Sequence, residues 1–347
     1  MKNDEKSRIL FQEEYPSLDS YWRSVILFGR NVASYKFALA ASLLEIVPSG
    51  KTVVTLNELA EPFSRHICEH LRTAPKQATS NTSKFIDSCK SFNNGEITKE
   101  KLSEITTRMG FNNVIDAFHI VNNGEIPVRF FEKDFNGRIK RIVLTDDVYR
   151  LQEMKFYDDF SNEVGARWNL VETAWELGVS RNLLAVQYDG DNNFFVEEAF
   201  RRKTVTSARD ALNGYQKGKC FYCFADITVN GDVETMCDVD HFFPHTLKPF
   251  LEKGNIDGIW NLVLTCPQCN RGVGGKFAKV PAIKYLYRLH KRNEFLISSH
   301  HPLRETLMKQ TGNSENERTE YLREMNRSAI DILIHTWDTL QIGPEVF

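Results

Sequence analysis

The chain has 347 residues, of which 41% are hydrophobic, 12% aromatic and 26% charged, with a formal net charge of −2. That is enough chain for two domains and enough apolar content for a packed core. Residues 37–47 form the most apolar run, but they fall short of the roughly 20 residues that span a bilayer and include Glu45. The first residues, MKNDEKSRILFQEEYP, contain no apolar run of the kind that directs secretion. A cytoplasmic protein with no membrane partner is the expectation.

In chain order, residues 19–47 set Trp22, Val25, Ile26, Val32, Phe37, Leu39, Leu43, Leu44 and Val47 at mixed three and four spacing. This predicts one amphipathic to buried helix, closed by Pro48-Ser49-Gly50. A second helix is predicted from Pro62, a residue tolerated in a first turn, to about Leu71, before Pro75. Polar residues 74–83 read as a loop, and short helical patterns follow at 99–109 and 113–121. One hairpin is clear: residues 128–132 and 139–144 flank Asn136-Gly137, a favoured tight-turn dipeptide. Residues 146–177 return to helix, with Phe156, Phe160, Trp168, Leu170, Val171 and Trp175 as the buried face. The turn-rich stretch 187–193 marks a boundary. Arg30, Lys36, Arg167 and Arg181 either face a ligand or solvate and pair on helix faces.

The carboxy-terminal part is chemically distinct. Residues 201–292 carry 15 Lys/Arg against 8 Asp/Glu, a basic excess suited to phosphate contact in an otherwise acidic chain. Four of the seven cysteines form two C-x-x-C pairs, Cys220-Phe-Tyr-Cys223 and Cys266-Pro-Gln-Cys269. Four thiolates suit tetrahedral Zn²⁺, and four protein ligands leave no open position, so this zinc is expected to be structural. A redox dithiol is the rival reading, weakened by the second pair of the same gap. Cys237 is expected to be a core thiol; His300 and His301 lie outside the array and read as surface residues. Helices are expected at 205–216, 281–297 and 315–340, the last two with apolar faces suited to docking on the amino-terminal region.

Between and after the cysteine pairs run Cys237-Asp-Val-Asp-His-Phe-Phe-Pro-His245, Trp260-Asn-Leu-Val-Leu-Thr-Cys266 and Cys269-Asn-Arg-Gly-Val-Gly-Gly-Lys276. Asp240 is an oxygen ligand for a hard cation, and His241 is an imidazole that takes a proton near neutral pH. Over about residues 211–279 this order resembles the HNH, or ββα-metal, endonuclease family. The resemblance implies that Asp240 and Asn270 hold one Mg²⁺ or Mn²⁺ and that His241 is the general base. It further implies that Asn261 fixes the loop between the strands. Arg271, Lys276 and Lys279 follow as phosphate-binding residues, although the inserted Gly-Val-Gly-Gly leaves Lys276 open to being a plain solvated lysine. His245 either assists the base, ligates metal or is structural.

The expected fold is α+β and mostly helical: a ββα-metal module with a four-cysteine zinc site, preceded by a largely helical domain with one hairpin. The expected domains are 1–190 for recognition or partners, 191–292 for the nuclease module, and 293–347 for helices packing on the rest. The expected activity is metal-dependent hydrolysis of DNA, preferred over RNA, in defence against foreign DNA. A nuclease gated by a protein activator and a non-cleaving zinc adaptor are the alternatives.

Overall fold

A computed structural model describes residues 17–28, 33–79, 83–121, 124–177, 186–190, 192–198, 201–230, 236–250, 255–299 and 301–347; the side chains of 197, 198 and 201–205 are not among those described. Arg30, Arg181 and His300 lie outside these residues. The fold is α+β and mostly helical, and the described residues divide into two compact units, one within 16–180 and the other within 181–347.

In the first unit the predicted long helix is two, α1 (Leu18–Phe28) and α2 (Tyr35–Ile46). Strand β1 (Val53–Thr55) runs into α3 (Leu56–Thr73), which starts six residues before Pro62. The reason is a capping box: Thr55 accepts from the Glu58 amide while Glu58 reaches back to the Thr55 amide. Pro62 is therefore inside the helix rather than at its start. Then come α4 (Lys84–Asn93), α5 (Lys99–Ile105), a π-turn at Thr106–Gly110 and α6 (Val114–Ala117). Strands β2 (Ile120–Val121) and β3 (Gly124–Glu125) pair with each other. The expected hairpin is present as β4 (Phe131–Asp134) and β5 (Arg141–Leu144), with Lys133 opposite Ile142. It gains β1 as a third strand, Val54 opposite Ile142. Helices α7 (Asp146–Gln152) and α8 (Tyr157–Glu176) complete the unit.

The core of this unit is aromatic, with Trp22, Phe37, Phe63, Phe118, Phe130, Phe160 and Trp168 all buried. Several of its polar groups are drawn into internal hydrogen bonds, as burial favours. Trp168 Nε1 donates to Gln77 Oε1 at 2.8 Å, and Gln77 Nε2 donates to Glu172 at 2.8 Å. His70 stacks on Trp168 with 3.6 Å between centroids. Lys36 and Arg167 belong to this interior: Lys36 donates to Ile120 O at 3.1 Å and Arg167 to Leu27 O at 3.0 Å. These two charges serve the fold, and neither is a surface residue.

The second unit opens with a three-stranded antiparallel sheet, β6 (Gln187–Tyr188), β7 (Asn193–Glu198) and β8 (Arg201–Ser207). Within the turn-rich stretch 187–193, Gln187 and Tyr188 form β6 and Asn193 opens β7. Helix α9 (Ala208–Gln216) leads to the first cysteine pair. Strand β9 (Asp238–His241) runs antiparallel to β10 (Leu262–Thr265), and the short α10 (Pro267–Arg271) follows. After β11 (Val280–Pro281), helices α11 (Ile283–Ser298), α12 (Arg304–Thr311) and α13 (Glu315–Leu333) pack on one another, and β12 (Thr336–Trp337) pairs parallel with β11. The apolar face of α11 closes on its own unit: Phe295 packs against Tyr215 and Tyr285 against Tyr222. Residues 334–340, expected to continue the last helix, turn away at Ile334, whose φ is +66°. His301, expected at the surface, is 3% exposed.

Candidate functional site

Two knuckles bring the four cysteines together. In the first, Phe224 takes a left-handed φ of +59° and its amide reaches Cys220 O at 3.0 Å, which turns both sulfurs the same way. In the second, Cys266 caps α10 and its sulfur accepts from the Cys269 amide at 3.4 Å, with Pro267 in the first helical turn. Gln216, the last residue of α9, bonds both Leu264 N and Leu264 O at 2.8 Å, and Phe221 N of the first knuckle donates to Leu264 O at 2.9 Å. All four sulfurs lie within 4.8 Å of one another. The Cys223–Cys266 separation of 3.8 Å equals the edge, about 3.8 Å, of a tetrahedron with zinc–sulfur bonds near 2.3 Å. The donor set therefore fits a metal ion such as zinc. Among the described residues no other group of three or more His, Cys, Asp or Glu is so arranged. Cys237 is fully buried and stands outside the cluster.

Strand β9, paired with β10, carries Asp238, Asp240 and His241. Asp240 points inward and is 7% exposed. Its Oδ2 accepts from Tyr222 Oη at 2.8 Å, and its Oδ1 faces Lys276 Nζ at 3.1 Å. Burial holds the Asp240 carboxyl above its usual range in spite of the Lys276 ammonium. Burial likewise pushes up the Tyr222 phenol, with Asp240 adding to it.

Lys276 is fully buried and also donates to His241 O at 2.9 Å. The reading of Lys276 as a phosphate contact or a solvated lysine is corrected: it is the internal counter-charge of Asp240. The inserted glycines explain this. Gly274 has a φ of +77°, and a Cβ on Gly275 would lie 2.9 Å from Gly272 O. The resulting turn carries the Lys276 amide back to Cys269 O at 2.7 Å and aims the side chain beneath β9.

The single Mg²⁺ or Mn²⁺ expected between Asp240 and Asn270 does not fit this arrangement. Asp240 already faces an ammonium and a phenol, and Asn270 Nδ2 donates to a different carboxylate, Asp238 Oδ2, at 3.0 Å. Arg271 Nε bonds the same Asp238 oxygen at 3.0 Å while remaining largely exposed. Lys279 is half-buried.

His241 ends β9 and is 20% exposed. Its Nε2 lies 3.1 Å from Asp257 Oδ1, and the Tyr188 ring packs edge-on against it with 6.1 Å between centroids. Burial lowers the basicity of the imidazole; Asp257 opposes that shift. His245 Nε2 stands 3.3 Å from the same Asp257 oxygen, and Lys248 Nζ is 2.7 Å from the other. Partial burial alone would raise the Asp257 carboxyl, but the Lys248 ammonium foremost, with the neighbouring imidazoles after it, holds it below its usual range. His245 is thus a solvent-facing neighbour of the His241 carboxylate partner.

Asn261 is fully buried and ties the loops on either side of the strand pair. Its Oδ1 accepts from Phe243 N at 2.8 Å, and its Nδ2 donates to Phe243 O and Ile256 O at 3.0 and 2.8 Å. Its backbone carbonyl also accepts from Phe242 N at 2.7 Å. The loop that leaves β9 directly after His241 is thereby fixed by one residue.

The residues that sequence reasoning passed over are Tyr222, Asp238 and Asp257. Tyr222 lies inside the first knuckle, so its role is hidden by that of the cysteines. Asp257 sits in a turn, where Asn255 O accepts from Gly258 N at 2.8 Å, and only the fold brings it to His241. No helix among the described residues is long and apolar enough to cross a membrane. No family model, curated protein or solved structure matches this chain.

Proposed function

We propose that the second unit is an HNH-type endonuclease module that hydrolyses DNA phosphodiester bonds, with His241 as the general base. The observation that supports this most strongly is the seat of His241: the end of a strand, beside a loop fixed by Asn261, with Nε2 facing Asp257. With Nε2 engaged, Nδ1 takes the proton from an attacking water. The water oxygen bonds to phosphorus, the ester P–O bond breaks, and the departing oxygen takes a proton from solvent. A positioned imidazole contributes about 10²- to 10⁴-fold to such a step.

Arg271 and Lys279, on and after α10, are the cations available to steady flanking phosphates. The cysteine cluster is read as a structural zinc site that pins both ends of the segment carrying His241. These steps do not run through a second metal ion, because Asp240 is engaged with Lys276 and Tyr222, and Asn270 with Asp238.

The test is incubation of the purified full chain with supercoiled plasmid in Mg²⁺, in Mn²⁺ and after brief chelation. Nicked or linear DNA is the expected product. Loss of cleavage on chelation, with the cysteine-bound zinc retained, would overturn a route that needs no second metal ion. A folded, zinc-loaded protein that cuts under none of these conditions would overturn the reading.

A further inference from the structure

A cavity of about 800 Å³ lies in the first unit, far along the sequence from His241. Small-molecule sites typically enclose roughly 300–1,000 Å³. One wall is a stripe of α3 and the other is α5 with the π-turn at Thr106–Gly110. Single π-turns recur at functional sites because the widened backbone redirects side chains. The floor is apolar, with Cys68 and Leu102 buried and Phe92 half-buried beside them.

The charges on the walls are unequally committed. Glu61 and Glu69 lie 3.8 and 3.3 Å from Arg65, and Glu61 is also 3.1 Å from Lys99. Glu104 is 2.8 Å from Lys101. Glu100 is spent on the start of α5, held below its usual range by its own backbone amide and Thr98. Among the described residues no acidic group lies within ion-pairing distance of Arg72 or Arg108, which are both exposed and line the cavity. The uncommitted charge facing a ligand is therefore positive. The Arg72 charge is felt at the floor, where it helps lower the Cys68 thiol below its usual value after the larger effect of the Cys89 hydrogen bond. Thr107 Oγ1, also in the lining, is buried without a hydrogen-bond partner. A buried hydroxyl in that state stands to gain from a ligand partner.

We infer that this groove binds a small organic anion: a flat apolar body against Cys68, Phe92 and Leu102, bearing a phosphate, sulfonate or carboxylate met by Arg72 and Arg108. The inference is independent of the nuclease reading, since it concerns the other unit.

Two fluorescent probes with one aromatic body test it: 1-anilinonaphthalene-8-sulfonate and its uncharged parent, N-phenyl-1-naphthylamine. The full chain is expected to bind the sulfonate saturably at one site per chain, at least about tenfold more tightly than the uncharged probe. The double substitution Arg72→Glu with Arg108→Glu is expected to weaken sulfonate binding about tenfold or more. It should leave binding of the uncharged probe and the circular dichroism unchanged, because both arginines are exposed and outside any ion pair among the described residues. Equal affinity for the two probes, or sulfonate binding indifferent to the charge reversal, would overturn the inference.

Discussion

Asp257 meets three donors at once, His241, His245 and Lys248, and its effect on His241 is open to a direct test. Asp257→Asn keeps the shape of the side chain but removes the negative charge facing Nε2. On the proposed mechanism kcat should fall by roughly 10²-fold, part of what a positioned base supplies, with KM within about twofold. Unchanged kcat would show that Asp257 does not position the base. Lys276 calls for a different experiment. Lys276→Met leaves the Asp240 carboxylate buried without its counter-charge and should destabilise the unit by about 3–5 kcal/mol in urea unfolding. The double variant Lys276→Met with Asp240→Leu should recover much of that loss. Such a lysine is hard to read from sequence, because its direction depends on the backbone of a Gly-Val-Gly-Gly turn. His241, Asn261 and the four cysteines are legible because each is tied to strand or knuckle spacing that local sequence sets.

Among elements, α1 and α8 are joined by a buried ion pair. Arg23 is 2% exposed, and its Nε and Nη2 meet the Glu163 carboxylate at 2.8 and 2.9 Å, with Asp19 also paired to it. Removing only the cation, as in Arg23→Met, should cost about 3–5 kcal/mol. Arg23→Met with Glu163→Leu should be milder than the single change; an equal or larger loss would show that packing, not charge, is at stake. The helices were legible where apolar spacing runs uninterrupted, as in α8. Their limits were less so: α3 begins at a capping box whose Thr55 and Glu58 precede the proline that looks like a start. Strand β1 was invisible for a different reason. Three residues carry no readable alternation, and the partner strand is about 90 positions away, Val53 opposite Val143. The β6–β8 sheet was obscured because its turn residues, Gly190 and Asn192 with positive φ, also have the composition of a linker.

For the whole molecule, the two units should respond to different insults. His119 in the first unit is 3% exposed, and its Nε2 accepts from the Phe130 amide at 3.0 Å, so the folded state holds it neutral. Burial first, then Arg129 and Lys36, lowers its pKa from 6.5 to about 3. As pH falls, the unfolded chain takes up this proton before the folded one does. The stabilisation is complete above about pH 6.5 and is lost toward pH 3, at up to about 1.4 kcal/mol per pH unit. Thermal melts between pH 7 and 4 should show this decline, flattened in His119→Gln. The second unit should instead depend on metal. One zinc per chain is expected by elemental analysis, and Cys266→Ser should abolish it and destabilise the unit by on the order of 5 kcal/mol or more. Full zinc retention in that variant would contradict four-sulfur ligation.

The central claim is that an imidazole at position 241 activates the water that cuts DNA. The most direct measurement is plasmid cleavage by His241→Ala, first alone and then with added imidazole, in protein whose zinc content matches the parent. The account predicts cleavage reduced at least about 10²-fold and partly restored as imidazole is raised. Cleavage at the parent rate without imidazole would contradict it.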